Sequence, residues 1–407
     1  MKLTLPKDLS AIGQWFAERH VPLYAVGGWV RDRISGRPVY DLDAASPAPP
    51  ETVLALCAAG DPVKVTARDA GLASLTLTWQ GDEGEISAEF TSFRKESYRN
   101  DGSHRPIGIT AGATLTEDAL RRDFTVNAIY ADLADGTVLD PLNGQADLAR
   151  QVLRTTRKSD DVFAEDGLRL LRLARFAAEL GFAVEEETLA GAKRQAAAVD
   201  PLVPARVGQE MERILLSDRR NPADGRDAVR KGLDLLQETG ILERLFPGAD
   251  AEAPARVKDD PALRFAALMK GMTADAVREK LMTLGLGKAL AAEASALAEH
   301  RGTVPEDAAL FLARQGSRAE KLLDLWTADD LDRTDERTVY EQMKKDGIPL
   351  AAEQLALNGR QIAEILGEAP GPHIGQVRQA LWEAAIQRRT ANTPEALTQY
   401  IRETILK

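Results

Sequence analysis

Cysteine is almost missing from this 407-residue chain: Cys57 stands alone. One thiol excludes an internal disulfide framework and a thiolate zinc cluster. The four histidines, His20, His104, His300 and His373, show no ligand spacing, which excludes a histidine metal site. No apolar run approaches the roughly 20 residues needed to span a bilayer, so no membrane attachment is expected. The opening segment MKLTLPKDLS has neither a long apolar stretch nor a cleavage-like site, so no signal peptide is read and a cytoplasmic location is expected. Basic residues are outnumbered, 52 Lys and Arg against 63 Asp and Glu, for a net charge of −11. That balance excludes a protein that coats nucleic acid non-specifically, while leaving room for a local basic surface. GLGKAL (285–290) lacks the earlier glycine and the Ser/Thr of a phosphate-binding P-loop. Internal repeats and low-complexity tails are missing too. Aromatic residues make up only 5% of the chain, and the abundance of Ala, Leu, Glu and Arg leans towards helix.

What is present is a two-part pattern. The length suggests two to four domains. Residues 1–155 alternate short β-like and helical runs: PLYAVGG (22–28) enters a glycine turn, VRDRI (30–34) starts a helix, and YDLDAAS (40–46), VKVT (63–66), SLTLTW (74–79) and EISAEFTSF (85–93) read as strands. IYADL (129–133) and TVLD (137–140) flank Asp135-Gly136, a hairpin signal. The polar stretch from Arg94 to Gly112 reads as a long loop. This predicts an α/β head, a small mixed sheet with helices. From about residue 156 the periodicity is helical: LRLLRLARFAAELGF (168–182) is amphipathic with Gly181 as its C-cap, and Leu168, Leu171, Phe176 and Leu180 read as core. FPGADAEAPARVKDDPA (246–262) reads as a linker, and residues 263–407 as further helices broken at PGPHIG (370–375). The expected organisation is therefore a head at 1–155, a helical neck at 156–250 and a helical body and tail at 251–407.

The densest chemistry lies in GGWVRDRISGRPVYDLDAAS (27–46). Along a strand side chains alternate, so Asp41 and Asp43 share one face while Leu42 points to the core. Two adjacent carboxylates repel and raise each other's pKa unless a divalent cation lies between them. Hard cations such as Mg²⁺ take carboxylates plus substrate phosphates, and two such ions can clamp the attacking and leaving oxygens of a phosphoryl transfer. Gly27 and Gly28 allow close backbone approach to a phosphate, and Arg31 opens a helix whose N–H groups favour anions. A third carboxylate is expected from EISAEFTSF. Glu89 is preferred to Glu85 because it lies deeper in the apolar run, where an unpaired acid would be costly.

GGWVRD…DLD resembles the signature of the tRNA nucleotidyltransferase and poly(A) polymerase family, within the polymerase-beta-like superfamily. The likeness continues in order through RRDFTVNAI (121–129), DGTVLDPLNGQADL (135–148), FAEDGLRLLRLARFAAELGF (163–182) and RVGQEMERILL (206–216). It implies nucleotidyl transfer from CTP and ATP to the 3′ end of tRNA, with Mg²⁺ as cofactor and no obligate protein partner. By position it implies that Asp41 and Asp43 bind metal, that Glu89 is the third carboxylate, and that Gly28 and Arg31 hold the triphosphate. Arg122, Asp123 and Asn127 match the ribose-sensing motif, and Asp166, Arg169, Arg172 and Arg175 the nucleobase and phosphate residues of the neck. Gly167 departs from the family, which has Pro there; the expectation is a looser helix start.

Cytosine and adenine both place an exocyclic amine donor next to a ring-nitrogen acceptor, and guanine and uracil do not. Asp166 beside Arg169 offers the matching acceptor and donors. Within the family, addition of CCA competes with poly(A) polymerisation and with addition of only CC or only A. The 94–112 segment, with Arg99, Asp101 and Arg105, resembles the family's flexible segment associated with switching from CTP to ATP, and the chain has no long basic extension. CCA addition is therefore expected. A different class, a catalytically silent RNA-binding module on the same fold, is disfavoured by the presence of both aspartates.

Overall fold

The computed structural model describes residues 1–39, 41–58, 62–69, 74–99, 101–103 and 106–406. They form two compact units, Met1–Pro247 and Gly248–Lys407. In the first, a seven-stranded sheet runs in the order β3-β4-β5-β2-β1-β8-β9. Its strands are β1 (Tyr24–Val26), β2 (Leu42–Ser46), β3 (Val63–Asp69), β4 (Ser74–Gly81), β5 (Gly84–Ser92), β8 (Tyr130–Asp132) and β9 (Val138–Leu139). All neighbours pair antiparallel except β2 and β5, which run parallel.

The middle of this sheet sets the chemistry. β1 ends in Gly27, whose φ of 74° and ψ of −134° are open to glycine far more than to other residues. The chain turns there directly into helix α2 (Gly28–Ile34), after α1 (Lys7–Ala17). Further helices of the head are α3 (Pro50–Cys57), α4 (Leu115–Leu120) and α5 (Gly144–Arg150). α4 starts with a capping box in which Thr114 and Glu117 satisfy each other's backbone N–H. Val26, Ala45, Phe93, Ala113, Ala119, Ala128 and Tyr130 pack together beneath it.

The stretch from Arg94 to Gly112 is not a plain loop. Residues Arg94–Ser97 (β6) and Gly108–Ala111 (β7) pair antiparallel in a separate two-stranded ribbon. Arg94 and Glu96 alternate with Lys95 and Ser97 along its first strand, and Tyr98 follows directly, a period-two signal hidden by the Gly, Asn and Pro that come next. Arg105 and His104 lie outside the described residues.

The helical remainder of this unit begins with α6 (Ser159–Glu165) and α7 (Leu168–Leu180), and continues through α8 (Glu186–Arg194), α9 (Pro204–Leu215) and α10 (Arg226–Glu238). α7 ends at Gly181 in the left-handed conformation, φ 74°. Its start is tighter than expected. The Gly167 N–H donates to the Gly102 carbonyl at 3.1 Å, and the Gly102 N–H donates to the Ala164 carbonyl at 2.8 Å. A Cβ at Gly167 would lie 1.9 Å from the Ala198 carbonyl oxygen. Glycine here serves close packing, and a proline would lose its N–H bond and collide.

The second unit is helical. Pro261–Leu268, Lys288–Glu299 and Arg318–Ala328 are among its helices, and a short helix, Ala253–Arg256, falls within the stretch expected to be a linker. The break at 370–375 is narrower than the sequence suggests: Gly359–Leu366 ends at left-handed Gly367, and the next helix starts at Pro372. Ile362, Leu381, Leu397 and Ile401 lie at the centre of its C-terminal core.

Candidate active site

β1, α2 and β2 bring the first half of the site together. Asp43 pairs with Val26 across β1–β2, so it stands beside the Gly27 turn. A Cβ at Gly27 would come within 3.5 Å of an Asp43 carboxylate oxygen. Leu42 is buried and Asp43 half-buried, while Asp41 is exposed one residue before the strand. In the parallel β2–β5 ladder Asp43 faces Glu89, and Glu85 lies at the far end, opposite Gln80 of β4. Register, not burial, sets Glu89 apart: its side chain is exposed, so the expectation of a deep position is corrected.

Burial pushes the Asp43 carboxyl up, Arg122 pulls it down, and the Glu89 and Asp41 charges add to the rise. Arg172 also pulls it down, so Asp43 lies between two guanidiniums and two other carboxylates. Among the described residues, no three His, Cys, Asp or Glu side chains form a ready-made metal cage. A small hard cation takes one or two carboxylates and completes its shell with waters and substrate phosphates. Asp41 and Asp43, with Glu89 next in the ladder, are oxygen donors of that type and fit a divalent ion.

The second group forms a hydrogen-bonded chain. Arg31, buried, donates to the Asn127 amide oxygen at 2.6 Å. The Asn127 amide donates to Asp123 at 3.0 Å, and Arg172 of α7 donates to the same carboxylate at 2.7 Å. Burial alone would raise the Asp123 carboxyl, but Arg172, Asn127 and the Phe124 N–H outweigh it and hold it at about 2. Arg122 donates to Asp118 and to the Tyr130 hydroxyl. Asp118 also accepts from Arg121. Four residues predicted as separate binders therefore form one network spanning head and neck.

Asp166 and Arg169 sit at the start of α7, both nearly buried. Asp166 accepts the Leu168 N–H at 2.9 Å, and its other oxygen lies 3.8 Å from the Arg169 Nε. The Arg169 guanidinium donates to the Val162 and Arg121 carbonyls, at 3.1 and 2.9 Å, and lies over the Tyr98 ring. It also reaches the Glu165 carboxylate at 3.5 Å. Arg175 is different: it is 2% exposed, and its guanidinium donates to Glu210 at 2.6 Å and Glu179 at 2.9 Å.

One cavity of about 500 Å³ is lined by Gly27, Gly28, Arg31, Asp41, Asp43, Arg122, Asp123 and Asn127 from the head, and by Asp166, Arg169, Arg172 and Arg175 from the helices that follow it. Glu96, Tyr98 and Arg121 line it too and were missed in the sequence. Glu96 accepts from Arg94, Tyr98 and Arg121. Exposed Arg206, Arg213 and Arg220, seven residues apart along α9 and the turn after it, reach the same rim. That spacing was the one signal that could have found them.

A strand–glycine turn–helix leading to paired carboxylates, with a helical neck closing the cavity, is the arrangement of a nucleotidyltransferase. Residues 23–154 match the family described as the poly(A) polymerase head domain. Residues 181–252 match the family described as the probable RNA and SrmB-binding site of polymerase A. The CCA-adding enzyme of Limosilactobacillus fermentum is 31% identical over 390 residues, 92% of this chain and 91% of that one. That of Geobacillus thermodenitrificans is 29% identical over 93% of this chain and 92% of its own length. The crystal structure of the Bacillus stearothermophilus CCA-adding enzyme in complex with CTP superposes with a TM-score of 0.71, at 25% identity, covering 99% of this chain and 98% of that one. The chain belongs to the CCA-adding enzymes, a family of tRNA nucleotidyltransferases that depends on divalent metal. Among the described residues no helix is long and apolar enough to cross a membrane.

Proposed function

We propose that this protein adds C, C and A to the 3′ end of tRNA, taking CTP and ATP into the cavity between head and neck. The observation that carries this reading is that one cavity is lined at once by Asp41 and Asp43 and by Asp166 and Arg169. The reaction joins the RNA 3′ oxygen to the α-phosphorus of the nucleotide and releases pyrophosphate.

Asp41 and Asp43 are assigned as ligands of a divalent cation, Mg²⁺ by preference, with Glu89 the third carboxylate. Such an ion, when bound, offsets charge on the phosphates and lowers the pKa of the attacking hydroxyl. Gly27 and Gly28 leave room for the triphosphate, and Arg31 and Arg172 face it. Asp123 and Asn127 hold these two arginines in place and are assigned to the ribose, and Arg122 to the same group. For Arg175 the geometry supports another job. Clamped by Glu179 and Glu210, it fixes α7 against α9 instead of meeting phosphate.

Asp166 and Arg169 are assigned to the base. Cytosine and adenine satisfy both partners. Guanine and uracil would leave buried polar groups unpaired, a strong basis for rejection. Addition of a full CCA, instead of a partial end or a poly(A) tail, is favoured by the ribbon β6–β7 and by the contact of Tyr98, just past β6, with Arg169. Incubation with Mg²⁺, a tRNA lacking its 3′ end and each NTP, singly and together, tests the reading. CTP alone should add two residues and CTP with ATP three; long A tails or no product would refute it. A cytoplasmic location follows from this activity.

A further inference from the structure

Phe176 is 6% exposed and lines the cavity. Three guanidinium groups stand over its ring: Arg31 at 5.2 Å, Arg172 at 5.1 Å and Arg175 at 4.1 Å from the centroid. Arg31 comes from α2 of the head, the other two from α7. The Phe124 ring meets Phe176 nearly perpendicular, at 87° and 6.0 Å, and supports it.

Three like charges gathered this closely repel one another. Each has polar company: Asp32 and Asn127 for Arg31, Asp123 for Arg172, Glu210 and Glu179 for Arg175. Adding more carboxylates would cancel the positive charge that a triphosphate needs. The face of an aromatic ring attracts a cation without carrying a formal negative charge, so it gathers guanidiniums and leaves their charge for the ligand. An aliphatic residue of similar volume would fill the same space but lack this attraction.

We propose that Phe176 is a positioning residue that draws Arg31 of the head and Arg172 of the neck into one triphosphate-binding pair. It touches no reacting atom. The inference rests on the triphosphate reading of the cavity. It goes beyond that reading by making the aromatic character of a core position, and not its volume alone, a determinant of nucleotide affinity.

The test uses the full-length protein, a tRNA lacking its 3′ end, and steady-state kinetics in CTP and in tRNA, with thermal unfolding of every variant. Phe176→Leu should raise the KM for CTP about fivefold to thirtyfold, the range of a desolvated cation–π contact. Its kcat and its KM for tRNA should stay within about twofold, and Phe176→Tyr, which keeps the ring face, should keep the wild-type KM. If Phe176→Leu does not fold, Phe176→Met takes its place with the same expectation. Arg172→Gln separates the two layers. If it leaves the CTP KM unchanged, the triphosphate reading has failed, and this proposal with it. If Arg172→Gln raises that KM while folded Phe176→Leu or Phe176→Met does not, Phe176 is plain core and only this proposal is overturned. Equal damage from the Tyr and Leu variants, or a fall in kcat at constant KM, also overturns it.

Discussion

The two units of this chain are stabilised in different ways. In Met1–Pro247 ten charged residues are buried among the described positions, Arg31, Asp123, Asp166, Arg169 and Arg175 among them; in Gly248–Lys407 there is one, Arg264. Most of those ten belong to the cavity or to the networks around it. The second unit instead packs an apolar core around Ile362, Leu381, Leu397 and Ile401, each at 0% exposure. Buried charge is costly unless paired and hydrogen-bonded. Its concentration in one unit marks where binding, and not stability alone, has shaped the interior. Both family matches, 23–154 and 181–252, fall almost wholly in that unit.

The largest effect should come from Asp43→Ala. Loss of a metal-holding carboxylate should lower incorporation of both CTP and ATP by about a thousandfold or more, with the fold intact by circular dichroism. Near-normal incorporation would remove Asp43 from the chemistry. Leu381→Ala, in the apolar unit, should do the converse. Denaturant unfolding should show a loss of about 2–5 kcal/mol from the transition of the second unit, while NTP binding is unchanged. If NTP affinity falls with it, the two units are not independent in function.

If residues 251–407 bind tRNA, as the resemblance implies for the body and tail, a chain ending at Pro247 should bind CTP within about threefold of the full protein and bind tRNA at least about tenfold more weakly, through lost phosphate contacts. Equal tRNA affinity would reduce the second unit to a structural cap. The smallest effect is a pH dependence. The Asp123 carboxyl is held at about 2 in the fold, below its value of about 3.9 in an unfolded chain. A depressed carboxyl stabilises the fold above the unfolded pKa, and that contribution is lost as pH falls through the folded one. Acid titration of stability should therefore lose about 2 kcal/mol between pH 4 and 2 in the wild type that Asp123→Asn does not lose in that window. Identical acid profiles would mean that Arg172 does not hold Asp123.

Much of this was legible in the sequence because it depends on local spacing. Leu42 and Asp43 need only the alternation of a strand, Gly27 only a backbone turn with positive φ, and Gly181 only a helix end. What the sequence hid depends on register and on distant contacts. Glu89 was chosen for burial, yet it is exposed and owes its place to the parallel pairing with β2. Arg175 reads like Arg172, one helical turn earlier, but its partner Glu210 lies 35 residues away in sequence. Gly167 looked like a loosened helix start until the Ala198 carbonyl was seen against it. The ribbon β6–β7 was obscured because turn residues dominate the segment that joins its strands.

On the proposed reading, one cavity both performs the transfer and chooses the base. The most direct test is single-nucleotide incorporation by wild type and Asp166→Ala, with all four NTPs on the same tRNA lacking its 3′ end. Removing Asp166 takes away the acceptor for the exocyclic amine of C or A. Discrimination against UTP and GTP should then fall by about tenfold to a hundredfold, the worth of a charged hydrogen bond in a closed site, while transfer itself continues. A variant that loses activity uniformly and keeps the wild-type preference for C and A would show that the base is read elsewhere.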